Sequence, residues 1–273
     1  VNITSGEIES ETPFEVHFID IGQGDSQLIR IPGATDYTNI LIDTGEYKEA
    51  EKLMAYLDGC GIKKIDRLIC THPHNDHMGA MSEIVKNYEI VEIFMPKVPD
   101  SMTPTTRSYE ALLDAVAEKG LMINDLCEGT YIDVPIDALA EVYSPEKGYE
   151  DFNDLNDYSG VIRIKYKNIS FLFTGDAEKT AEEIILSKGY DIKADILSCG
   201  HHGSSTSTSE AFFEAVNPSV AVISCAAENQ YGHPHKETLD LLSNKNVDTY
   251  RTDIDGTVVM LSDGENLEIR TEK

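Results

Sequence analysis

The stretch THPHNDHMGA (71–80) places three histidines and one aspartate within six positions, in a chain of 273 residues that has eight histidines in all. A solvated loop has no use for imidazoles at that density. Two metal ions sharing one turn would need it, because nitrogen and oxygen donors must surround each ion. His72 and His74 are two apart, so in an extended loop their side chains leave on the same side and can hold one ion. Asp76 and His77 are adjacent and diverge, which lets them serve a second ion about 3.5–4 Å away, the usual hydrolytic arrangement. Pro73 restricts the backbone between the first two donors and reduces the entropy lost on binding.

Upstream of this turn, IDRLIC (65–70) reads as a buried strand, so the cluster sits at a strand's C-terminal end, where open sheets place their sites. FEVHFIDI and SQLIRI flank the Gly-rich turn GQGD, and with NILIDTG (39–45) they predict antiparallel strands, followed by the helix EAEKLMAYLDGCG. Downstream, MGAMSEIVKNY and TTRSYEALLDAVAEKG have helical spacing around the strand VEIFMP, TYIDV and ALAEVYSP read as a strand pair, and residues 146–160 as a long acidic loop. VIRIKYKN and ISFLFTGD form a hairpin. The helices AEKTAEEIILSKG, TSTSEAFFEAV and HKETLDLLSN then alternate with the strands ADILSCG and PSVAVISC, and VDTYRT, GTVVMLS and LEIRT close the chain as strands. Both halves show the same pattern, which two packed sheets with helices outside would satisfy. Residues 1–13, polar and aperiodic, are expected to form a loose arm, and residues 14–273 a single domain.

Forty-nine acidic against twenty-two basic residues give a formal charge of −27. Such a field repels polyanions unless a basic patch or bound cations reverse it locally, and the longest basic cluster is the pair Lys63-Lys64. Nucleic acid is therefore disfavoured as a tight partner. The five cysteines form no CxxC pair and no even framework, and three of them end apolar runs, which fits buried thiols rather than disulfides. No run approaches the roughly 18 apolar residues of a membrane span. A start at Val1 rather than Met fits a processed or truncated chain, extracellular or at the cell surface if a leader preceded it.

One turn cannot close two metal sites. Further donors follow apparent strands at Asp176 (TGDAE), at His201 and His202 (GHHGS), and at His233 and His235 (YGHPH). Asp176 reads either as the N-cap of the helix after it or, with the other clusters, as a bridging carboxylate. Adjacent His201 and His202 cannot easily face one ion together, so one is expected to bind metal and its neighbour to hydrogen-bond substrate or a ligand. His17 inside FEVHFID reads as a satisfied strand histidine, and Cys70 and Cys199 as packing residues. The serines of GHHGSSTSTS have no GxSxG elbow or Ser-x-x-Lys beside them and read as a loop and helix cap.

Seven motifs occur in order: FIDIGQGDS (18–26), NILIDTG (39–45), THPHNDHMGA (71–80), NDYSGVIRI (156–164), FLFTGDAE (171–178), GHHGS (200–204) and YGHPH (231–235). In these the sequence resembles the metallo-β-lactamase superfamily, and within it the metallo-hydrolase domain of ComEC-type competence proteins, from Phe14 to the end. The resemblance implies an α+β fold, a four-layer αββα sandwich, with a dinuclear zinc or manganese site between the sheets. It implies His72 and His74 on one metal, Asp76 and His77 on the other, Asp176 bridging, His202 as the last ligand, and Asp43 orienting a ligand histidine. Many members carry a further histidine some twenty residues before the bridging aspartate. Here that region reads NDYSG, with Asn156 and Ser159, which leaves one metal three-coordinate from protein, more exchangeable, or completed by an atom the sequence does not identify. Asp20, Gln23 and Asp25 lie in the GQGD turn, where turn-building by Gly22 and Gly24 competes with a chemical role.

The expected function is a dinuclear metal-dependent hydrolase of phosphoesters, foremost a phosphodiesterase. Two ions would lower the pKa of a shared water from about 15.7 toward 7. Asp76 would orient the hydroxide, and His201 or His233 would hydrogen-bond the substrate or protonate the leaving oxygen. The resemblance implies DNA as substrate, whereas the net charge argues for a smaller or less charged ester. One alternative is a secreted phosphorylcholine-type esterase, with Tyr149, Phe152 and Tyr158 among Glu150, Asp151, Asp154 and Asp157 holding a cationic head group. Another is a metal-stabilised binding domain without turnover; a lactamase or thioesterase would rest on fold alone.

Overall fold

Runs rich in Ile, Val, Leu and Phe become strands, and these assemble into two sheets. The computed structural model of the chain describes residues 2–3, 8, 10, 12–149 and 152–273. Among the described residues, the first sheet contains in spatial order Asn2–Ile3, Asn266–Thr271, Val258–Ser262, Phe14–Phe18, Gln27–Pro32, Tyr37–Ile42, Lys64–Ile69, Glu89–Met95 and Ile123–Asp125. The second contains Asp248–Arg251, Val220–Ile223, Ile196–Ser198, Ile169–Phe173, Val161–Tyr166 and Ala138–Ser144. Lys64–Ile69 runs parallel to both its neighbours, and so does Ile196–Ser198. Parallel pairs require crossovers. Helices Ala50–Gly59, Met81–Asn87 and Arg107–Glu118 supply them over the first sheet, and Lys179–Ser187, Glu210–Val216 and Lys236–Asn244 over the second.

The period of two along each strand divides its side chains between layers. Phe171 and Phe173 face the other sheet, where Phe14 and Phe18 meet them with ring centroids 5.7 and 6.1 Å apart, while Leu172 between them faces the helices. Leu53, Leu57, Met81, Ile84 and Leu112 cover the outer face of the first sheet, and Ala181, Ile185, Phe212, Val216 and Leu242 that of the second. The order is helix, sheet, sheet, helix: the four-layer αββα metallo-β-lactamase fold.

Two expected elements differ. TYIDV does not enter a sheet, since Tyr131 is exposed and only Ile132 of its apolar residues is packed well into the core. Ala138–Ser144 pairs instead with Val161–Tyr166, and the edge of the first sheet is taken by Ile123–Asp125, too short to show an alternation. Of the expected arm, Asn2–Ile3 pair in parallel with Asn266 and Leu267; residues 1, 4–7, 9 and 11 lie outside the described residues, as do Glu150 and Asp151 of the acidic loop. No described helix is long and apolar enough to cross a membrane.

Candidate metal centre

The first sheet delivers half of the centre. Ile42 pairs with Ile69, so Asp43 and Thr71 leave the sheet together, and Thr71 donates to the Asp43 carboxylate from its N–H at 2.7 Å and from its hydroxyl at 2.6 Å. Asp43 also lies 2.7 Å from His77 Nδ1, which leaves His77 Nε2 to face inward. After Pro73 the chain does not stay extended. His74 is the N-cap of a one-turn helix, Asn75–Met78, which carries Asp76 and His77. His72 and His74 remain side by side, Nε2 of one 2.9 Å from Nδ1 of the other. The GQGD turn is the bed for this segment: a Cβ on Gly24 would stand 2.2 Å from the Asp76 carbonyl oxygen, which accepts the Asp25 N–H at 3.2 Å.

The second sheet delivers the other half. Asp176 is not the cap of the helix after it. Asp157 does that work, its Oδ1 accepting the N–H groups of Glu178 and Ala181, both at 3.2 Å. The Asp176 carboxylate is thereby free, and its backbone N–H donates to Ser159 Oγ at 3.1 Å. In GHHGS, His201 and His202 both adopt left-handed backbone conformations, with φ of 50° and 54°. Non-glycine residues take these at a cost of order 1–3 kcal/mol, so the surroundings must impose them. They do so through the His201 N–H donating to Gly175 O at 3.0 Å, the Gly200 N–H to Thr208 Oγ1 at 3.2 Å, and the buried Glu182 carboxylate accepting the N–H groups of Thr208 and Ser209. His202 Nδ1 donates to Ser224 O at 3.0 Å, and its Nε2 faces Asp76 Oδ2 at 3.3 Å.

Asp176 joins the halves. Its Oδ1 lies 3.1 Å from His77 Nε2 and 3.7 Å from His202 Nε2; its Oδ2 lies 3.8 Å from His72 Nε2 and 3.7 Å from His201 Nε2. Two donor groups share it, one of Asp76, His77, Asp176 and His202, the other of His72, His74 and Asp176. The residues fit a pair of divalent cations. His77 Nε2 and Asp176 Oδ1, buried 3.1 Å apart, have no other hydrogen-bond partner, and a nitrogen and carboxylate set suits zinc or manganese.

Burial disfavours charge on His72, Asp76, His77, Asp176 and His202, and the neighbours decide which keep it. For Asp76 the hydrogen bond from His202 and the field of His77 outweigh burial and hold the carboxyl below its usual range; His77 and His202 do the same for Asp176. Burial and His77 keep His72 neutral, whereas the Asp176 carboxylate overrides burial at His77 and His202 and raises both. Burial, with His202 and His201 nearby, pushes His233 down to about 4.

A cavity of about 310 Å³ opens over these groups, lined also by Gln23, Asn75, Asn156, Tyr231 and His233. His235 is engaged elsewhere, with the N–H of Ser205 at 3.0 Å and the Tyr231 carbonyl at 3.2 Å. His17 lies in its strand between Tyr56 and Glu15, and Cys70 and Cys199 are buried, burial pushing the Cys199 thiol up to about 12. Phe152 and Tyr158 pack into the helix-side core of the second sheet, and neither they nor Tyr149 line the cavity, so the expected aromatic cage does not surround it. The residue missed in the sequence is Glu178. Its Oε1 accepts from Thr206 Oγ1 at 2.8 Å, from His201 Nδ1 at 3.1 Å and from Asn156 Nδ2 at 3.4 Å, yet in sequence it is one more acid at a helix start.

The sequence model of the metallo-β-lactamase superfamily matches residues 19–227. ComE operon protein 3 of Bacillus subtilis is 34% identical over 260 residues, which cover 89% of this chain and 32% of that protein. Recombination protein 2 of Haemophilus influenzae is 31% identical over 267 residues, 96% of this chain and 30% of that protein. The chain thus spans about a third of the length of these relatives. A solved metallo-β-lactamase fold protein of Bacillus subtilis superimposes with a TM-score of 0.55 at 12% identity, covering 88% of this chain and 96% of that one.

Proposed function

The chain belongs to the metallo-β-lactamase superfamily, whose members are mostly metal-dependent hydrolases, and from that premise we propose that it is a dinuclear phosphodiesterase acting on DNA or a smaller phosphoester. The observation that carries the reading is the sharing of one buried carboxylate, Asp176, by two donor groups. The likeness to a ComE operon protein and a recombination protein favours DNA as the phosphodiester.

His72, His74 and Asp176 would hold one ion, and Asp76, His77, His202 and Asp176 the other. Two divalent ions, zinc or manganese, supply when bound an activated water and positive charge against the phosphoryl oxygens. Asp76, kept ionised, accepts a hydrogen bond from the attacking water and fixes its direction. His233, neutral at neutral pH, donates a hydrogen bond to a phosphoryl or leaving oxygen rather than a proton. Gln23 Nε2, buried and unpartnered, offers a second donor, and Tyr231, stacked on His233 with centroids 5.6 Å apart, walls the mouth.

The test is metal content by elemental mass spectrometry together with bis-p-nitrophenyl phosphate turnover, on the wild type and Asp176→Ala. Two ions per chain with turnover, both lost in the variant, are expected. Two ions without turnover on any phosphoester would replace this reading by that of a binding domain, and absence of metal under every loading condition would end it.

A further inference from the structure

The group of His72, His74 and Asp176 offers three donors where the other offers four, and in the adjoining NDYSG stretch Ser159 Oγ is engaged by the Asp176 N–H. The ion beside His72 and His74 therefore lacks a protein donor. We infer that His201 supplies it, positioned by Glu178; this rests on the dinuclear reading above.

Three observations converge. First, the oxygens of Asp176 divide the histidines: Oδ1 faces His77 and His202, and Oδ2 faces His72 and His201, at 3.8 and 3.7 Å. His201 thus falls on the side of the incomplete group. Second, His201 is held as a ligand is held. His77 Nδ1 is tied to Asp43, His202 Nδ1 to Ser224 O, and His201 Nδ1 to Glu178 Oε1 at 3.1 Å, each leaving Nε2 turned toward Asp176. A carboxylate or carbonyl on the far nitrogen is the usual support of a metal-bound imidazole. Third, the left-handed pair at His201 and His202 sets the two rings 70° apart with centroids 6.0 Å from one another, so adjacent residues can serve opposite sides of one carboxylate. The strain is then explained, since a relaxed turn would send one ring to solvent.

His201 stands outside the tightest donor grouping and its side chain is 22% exposed, so it closes on the ion by a side-chain movement. The first ion is accordingly the weaker and more exchangeable of the two. Glu178 also holds Asn156 Nδ2 at 3.4 Å, and Asn156 Oδ1 is buried without a partner. Asn156 is therefore the rival donor, and the experiment must separate the two.

The chain would be titrated with Mn²⁺ by calorimetry, with bound metal counted after dialysis, as wild type, His201→Ala, Asn156→Ala, Glu178→Ala and Glu178→Gln; circular dichroism of the metal-free forms checks folding. Wild type is expected to hold two ions. His201→Ala should keep one at wild-type affinity and weaken the other by at least about 10–100-fold. Glu178→Ala should weaken the same ion by about 10-fold, and Glu178→Gln, which retains an acceptor for Nδ1, should restore most of it; this pair carries the test should His201→Ala misfold. Cobalt-loaded wild type should show five imidazoles over two ions by X-ray absorption, and His201→Ala four. Two ions of unchanged affinity in His201→Ala, or the selective loss appearing in Asn156→Ala instead, would overturn the inference and leave the dinuclear reading standing. A wild type that binds no metal would overturn both.

Discussion

His233 shows how one side chain records its surroundings. Free imidazole titrates near 6.5; here burial and the neighbouring histidines lower the value to about 4. As pH falls from about 6.5 to 4 the unfolded chain takes up this proton first, so the fold loses stability across that window. Urea midpoints of metal-free wild type and His233→Gln at pH 7 and pH 5 should therefore differ in their pH dependence, the variant losing less on acidification. Gly24 offers a steric prediction. Its φ of 129° and the 2.2 Å that a Cβ would leave to Asp76 O mean that Gly24→Ala must displace the turn bearing Asp76, at a cost of about 1–3 kcal/mol. Gly22→Ala meets nothing closer than 3.7 Å and, straining only its own positive φ, should cost less. Denaturation midpoints of the two variants decide the matter, and bound metal should fall in the first. The candidate donors that the two sheets bring together were legible residue by residue because ligation would demand particular atoms. The partners that aim them were not, since Glu178 and Asp157 look like ordinary first-turn and loop acids until tertiary contacts give them roles.

Among the elements, the helix Lys179–Ser187 ties the support of the centre to the second sheet. Its first N–H groups are satisfied by Asp157, from the turn before the hairpin of residues 161–173, which frees Asp176 for the centre and fixes Glu178 beside His201. Asp157→Ala should cost about 1 kcal/mol in urea denaturation and lower metal affinity through Glu178, whereas Asp157→Asn, still an acceptor, should retain most of both. Strands and helices were largely legible because apolar period and length separate them: FEVHF, IDRLI and ISFLF all fell into sheets. TYIDV failed because alternation also suits a coil that tucks one residue, Ile132, into the core. The left-handed turn at His201 and His202 was invisible, because no glycine announces it at those positions.

At the scale of the whole molecule, a charge of −27 opposes the approach of any polyanion. Raising salt shortens the Debye length to about 8 Å at 0.15 M, so kcat/KM for single-stranded DNA should rise from low to moderate ionic strength, opposite to the behaviour of basic DNA-binding proteins. An uncharged ester should show no such trend; a fall for DNA would reveal a local basic surface. The sandwich was legible as two similar halves, but not the rim on which they meet, because packing one sheet on another leaves no periodic trace. That rim also sets a timetable. His72 to His77 leave the ribosome long before Asp176 and His202, and neither of the two donor groups that share Asp176 is complete within the early segment alone. Capture of a metal pair by these groups would therefore wait until both halves were synthesised and docked, and would mark that event.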